Sequence, residues 1–180
     1  MPIVEHEDMR VAIARDVLAQ LDREDVPLRV SPEGYVSGFY EPKDWSADLQ
    51  QIVDEVKTYC DVCALGGLIL SKARLYDSVP ICELLEEDPD EAPGEVFGIQ
   101  ATIYEQLDQV FGQGQRELIE TAFMEVRYFA RALSEAERTK AVRYGGQFHD
   151  DRLRLRAIME NIIANGGEFR PESPTSEKAQ

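Results

Sequence analysis

The chain is poor in the residues that usually announce chemistry. It has 2 histidines, 3 cysteines and 1 tryptophan in 180 residues. Two histidines leave little room for a histidine-based general acid–base constellation. No G-x-S-x-G elbow, phosphate-binding glycine loop or H-E-x-x-H pair occurs. No run approaches the roughly 20 apolar residues of a membrane span. The first eight residues, Met1 to Asp8, are acidic and hold no apolar core of the kind an export signal needs. An odd number of cysteines without such a signal argues against a disulfide framework and for a reducing compartment, the cytoplasm. Internal repeats are absent.

Cations are scarce as well, and their scarcity is local. The chain has 35 acidic against 19 basic side chains, a formal net charge of -16. Between Arg74 and Arg116 there is no Lys or Arg at all, while that stretch holds ten carboxylates. Seven of them, Glu83, Glu86, Glu87, Asp88, Asp90, Glu91 and Glu95, fall within thirteen residues. Pro89 and Pro93-Gly94 keep part of this segment out of helix. From Arg127 to Arg156 the balance reverses, with eight basic residues against four acidic ones. Such a chain repels nucleic acid and anionic membrane and attracts basic surfaces, most strongly at low salt. Two readings compete: the acidic segment is a partner-binding surface, or it only solubilises. The two poles meeting and neutralising each other within the fold is a third outcome.

What is present is helical patterning. Apolar residues make up 43% of the chain, enough for one packed domain over residues 1–171, with a polar, disordered tail from 172 to 180. Met9, Ile13, Val17 and Leu21 recur at helical spacing, as do Leu49, Val53, Val56 and Cys60. Cys63 to Leu75 is more evenly apolar (Ala64, Leu65, Leu68, Ile69, Leu70), the mark of a central buried helix. Helices are further predicted over Ile99–Phe111, over Arg116–Leu133 (stripe Leu118, Ala122, Val126, Ala130, Leu133), from a Ser134–Glu137 capping box to Gly145-Gly146, and from Asp150 to Asn165-Gly166-Gly167. A short β-hairpin is expected within Leu28–Tyr40, around the turn Ser31-Pro32-Glu33-Gly34. The fold class is therefore mainly α, a single-domain helical bundle with one short hairpin.

Three clusters invite a chemical reading, and each has a plainer one. Cys60-Asp61-Val62-Cys63 has redox or zinc spacing, with Cys82, His6 and His149 as the remaining ligand candidates. Asp61 between the thiols opposes thiolate formation, and two small buried cysteines explain the spacing equally well. His149-Asp150-Asp151 offers a metal or a base, yet either aspartate can cap the helix that follows. Gly66-Gly67 inside an apolar helix suggests a close helix crossing rather than a phosphate site. The segment Asp88 to Gly94 lacks the ligand offsets of a calcium loop.

The stretch Cys60-Asp61-Val62-Cys63-Ala64-Leu65-Gly66-Gly67-Leu68 resembles a family of small bacterial and phage proteins that carry a C-x-V-C-A-L-G-A-L-like segment. The end of the chain, from Asp151-Arg152-Leu153 through Ala157-Ile158-Met159-Glu160-Asn161-Ile162-Ile163 to Pro171, is similar to the same family's C-terminal helix. Gly67 stands where the family pattern has Ala. The resemblance implies a phage or mobile-element origin and brings no catalytic residues.

Together these features predict a non-enzymatic protein without cofactor or bound metal. Its partner would be a basic protein surface, one shaped to hold nucleic acid, with no direct contact to nucleic acid or membrane. The concrete version is an inhibitor of a nucleic-acid-guided defence complex that works by mimicking a phosphate backbone. The alternatives are a metal- or thiol-dependent protein using Cys60, Cys63 and His149, and a structural subunit that self-associates into a homo-oligomer.

Overall fold

A computed structural model of the chain describes residues 6–32, 36–37, 61–76, 97–125 and 130–172. Among these the architecture is mainly helical: α1 (His6–Leu21), α2 (Ala64–Tyr76), α3 (Phe97–Phe111), α4 (Gln113–Met124), α5 (Glu135–Gly145) and α6 (Asp151–Ala164). Two residue pairs, β1 (Val36–Ser37) and β2 (Asp61–Val62), add the small extended element. The expected helix over residues 49–60 and the expected tail lie outside the described residues.

Helix α2 is the centre of the bundle. Its first ten residues, Ala64 to Ala73, are all buried, and it packs on α1, α3 and α4. The apolar run Ala64 to Leu70 favours such a position. Helix α1 lays Ile13, Val17 and Leu21 against α2 and α6, and α6 returns Leu155, Ile158, Met159 and Ile162 to the same core. Helix α5 packs on α4, with Ala141, Tyr144 and Gly145 buried.

The ends follow local chemistry. Ser134 and Glu137 form the reciprocal capping box of α5. Asp150 caps α6 by accepting the Leu153 N–H at 2.8 Å. At its far end Gly166 (φ 65°) and Gly167 (φ 100°) turn the chain left-handed, and their N–H groups return to Ile163 and Ile162. That is the Schellman arrangement, open to glycine because a side chain resists positive φ.

Three expectations are corrected. The extended arms at 30 and 36 do not pair with each other; both flank Val62, the first in parallel and the second antiparallel. Asp61-Val62 is accordingly strand, not helix, and α2 begins only at Ala64. Helix α4 does not run to Leu133. It ends at Met124, with Glu125 in the left-handed region at φ 55°, and Ala130 and Leu133 are buried outside it. Leu118 and Ala122 of the stripe are buried on α4, whereas Ala130 and Leu133 are buried from the segment that follows it.

The close crossing expected at Gly66-Gly67 is relaxed at Gly67. A Cβ there would meet Leu28, Val17 and Leu155 side chains at 3.6, 3.7 and 4.0 Å, ordinary contact distances. Gly67→Ala is therefore expected to stabilise the protein by about 0.5–1 kcal/mol through helix propensity, read as a higher urea midpoint at unchanged slope. A lower midpoint would show that α2 is packed more tightly than these distances allow.

Candidate functional site

Glu83, Glu86, Glu87, Asp88, Asp90, Glu91 and Glu95 all lie outside the described residues, in the stretch between α2 and α3. The structure describes what flanks them. Leu75 and Tyr76, 37% and 41% exposed, end α2 on the surface. Of the ten acids in the cation-free stretch, Glu105 is exposed on α3 and Asp108 is ion-paired.

The cations that bound the stretch have internal partners. Arg74 donates to Asp16 on α1, with Nε–Oδ2 at 3.0 Å. Arg116, 5% exposed, donates to Asp108 at 2.6 Å, lies 3.5 Å from Glu120 and stacks 3.8 Å over the Tyr104 ring. Burial pulls its pKa down, but the Asp108 hydrogen bond and the charges of Asp108 and Glu120 outweigh this and hold it above the usual guanidinium value. Glu117 beside it accepts from the Ala132 N–H at 2.7 Å and from Gln113 at 2.8 Å. Buried charge is expensive unless paired and hydrogen-bonded, and here it is both.

Five of the C-terminal basic residues are committed in the same way, two of them, Arg152 and Arg154, to helix ends. The last carbonyls of a helix lack intrahelical donors and carry partial negative charge. Arg152 donates to the Leu21 carbonyl that ends α1. Arg154 donates to the carbonyls of Phe123 (2.8 Å), Gly145 (3.2 Å) and Phe148 (2.9 Å), and pairs with Asp151 and Glu125. Arg138 reaches the Ala130 carbonyl at 2.8 Å and Glu135; Lys140 pairs with Glu172 at 2.5 Å; Arg156 pairs with Asp22. That last hydrogen bond lowers the Asp22 pKa. None of these partners belongs to the seven carboxylates.

Of the cysteine and histidine candidates, only the side chains of Cys63 and His149 are described. Cys60 and Cys82 are outside the described residues. Cys63 is 3% exposed, at the N-terminus of α2. A helix N-terminus favours thiolate, but burial prevails and, aided by the charge of Glu120, pushes this thiol up to about 12. His149 is exposed in the turn before α6, where Asp150 is the cap rather than a ligand. Among the described residues no group of three or more His, Cys, Asp or Glu side chains is arranged to hold a metal ion, and no helix is long and apolar enough to cross a membrane. Cys63 is expected to resist a thiol reagent in the native protein and to react on unfolding, as read by mass spectrometry of the labelled peptide. Rapid native labelling at Cys63 would contradict its burial.

Sequence reasoning missed the buried charges Lys72, Arg116, Glu117 and Arg154. The available signal was their register. Lys72 follows Leu68 and Ile69 by four and three residues, and Arg154 precedes Ile158 by four. A charge on the buried face of a helix needs a partner, and partners on other helices cannot be read from one helix alone.

Comparison with protein-family models, with curated protein sequences and with solved structures returns no match to this chain. The functional reading therefore rests on this chain's own residues.

Proposed function

We propose that the chain is a non-enzymatic, acidic protein-binding factor acting in the cytoplasm of a bacterial host. Its segment from Glu83 to Glu95 engages a basic protein surface shaped to hold nucleic acid, and so inhibits the complex that carries it. Carboxylates stand in for backbone phosphates, giving fast and salt-sensitive association. One observation carries the reading. Seven carboxylates sit in a stretch without a cation, while Arg116, Arg138, Lys140, Arg152, Arg154 and Arg156 are held by other partners. Like charges this close in sequence repel one another, a cost that a basic partner surface would offset.

The test uses the full chain as bait in a bacterial lysate at low and at high salt. The proposal expects a basic nucleic-acid-binding protein to be retained at low salt, released by salt, and displaced by added nucleic acid. Retention indifferent to both salt and nucleic acid would overturn it.

A further inference from the structure

Residues 168–172 leave α6 and lie across one end of three helices, and they are held as a bound peptide would be. The Phe169 ring is 1% exposed and meets Tyr144 of α5 edge-on, with ring centroids 5.2 Å apart and planes at 84°. Its backbone N–H donates to Gln115 Oε1 of α4 at 2.7 Å. The next residue is gripped on both sides by one side chain of α6: the Arg170 N–H donates to Asn161 Oδ1 at 2.8 Å, and Asn161 Nδ2 donates to the Arg170 carbonyl at 3.0 Å. Asn161 is 7% exposed, and Asn165 Nδ2 donates to the same Oδ1 at 3.1 Å, which fixes the amide's orientation. Tyr144 is held in turn by its hydroxyl bond to the Ala157 carbonyl at 2.9 Å.

These contacts divide by what they read. Gln115 and Asn161 address backbone only and accept any residue but proline in their place. The ring pocket alone demands a particular side chain. Backbone bonds for affinity and one apolar anchor for selectivity are how extended peptides are commonly recognised. The receptor residues sit on three helices, whereas the occupant is a short arm joined to them through Gly166 and Gly167, both at positive φ.

We propose that the groove between α4, α5 and α6 is a peptide-recognition site for an extended segment with a phenylalanine anchor, filled in cis by residues 168–172 and open to a partner segment of the same chemistry when these leave. This site uses none of the acidic segment's residues, and the proposal does not rest on that segment's function.

The experiment empties the groove without shortening the chain. Phe169→Ala with Arg170→Pro removes the anchor and the N–H that Asn161 accepts, and leaves Gln115, Tyr144 and Asn161 in place. The probe is a synthetic peptide of residues 166–172, Gly-Gly-Glu-Phe-Arg-Pro-Glu, followed by calorimetry and by melting temperature. The double variant is expected to bind it saturably and to melt higher in its presence, while the unmutated chain does not bind. Replacing the peptide's Phe with Ala should weaken binding on the order of 100-fold, the loss of one buried ring. A folded double variant that shows no saturable binding overturns the proposal, and so does equal binding by the unmutated chain. Should the double variant fail to fold, hydrogen exchange of the unmutated chain decides. The Phe169 and Arg170 amides should exchange well ahead of the α6 core amides if the arm detaches by itself; exchange only with global unfolding overturns it.

Discussion

Arg154→Met is expected to destabilise the protein by about 3–5 kcal/mol, the cost of breaking a buried, hydrogen-bonded ion pair from one side. The guanidinium joins the carbonyl ends of α4 (Phe123) and α5 (Gly145) to α6, and it also takes the Phe148 carbonyl, Asp151 and Glu125. Met replaces the stem's volume and leaves those acceptors without their donor. Glu125, which loses its cationic partner as well, sits at φ 55°, the only positive φ outside glycine among the described residues. That conformation costs a non-glycine residue about 1–2 kcal/mol. Arg154→Lys keeps the charge but not the five-donor fork, so it should fall between the two. In a protein of this length the Met variant corresponds to a loss on the order of 10 °C in melting temperature. A loss of only one or two degrees would mean that Arg154 decorates the surface rather than joining three helices.

Gly145→Ala is expected to cost about 3 kcal/mol or more, the upper range for overpacking. The added methyl would run into the carbonyl oxygen of Ala122 on α4, which is backbone and cannot rotate away. The neighbouring glycine is the control. A Cβ on Gly146 meets the Val142 carbonyl oxygen at 3.3 Å and Glu125 Oε2 at 3.6 Å, and its φ of -66° suits any residue. Gly146→Ala should therefore be tolerated with a small loss. Equal melting temperatures for the two variants would refute the close approach of α4 and α5.

These two positions also mark where the sequence stopped being informative. Gly145-Gly146 reads as a helix stop, and α5 does end there. Nothing in the sequence separates the glycine that ends a helix from the one that lets another helix approach, because that distinction belongs to α4. The α6 boundaries were fully legible, since Asp150, Asn165, Gly166 and Gly167 act on their own chain within a few residues. The end of α4 was not. Its stripe continues to Leu133, and Glu125, where the helix breaks, pairs with Arg154, 29 positions further along. Arg154 itself looked like one more member of a basic pole. Its role as a donor to three carbonyls emerges only when α4, α5 and α6 converge. The same holds for Asn161, an ordinary polar residue by sequence and the grip on Arg170 in the fold.

The most direct test of the proposed function is charge reversal within the acidic segment. Glu86, Glu87, Asp88 and Asp90 are changed together to Lys, and the folded variant is compared with the unmutated chain for capture of a basic partner at low salt. The account predicts a melting temperature nearly unchanged or slightly raised, as self-repulsion falls, together with loss of capture. Capture by the folded variant equal to that of the unmutated chain would contradict it.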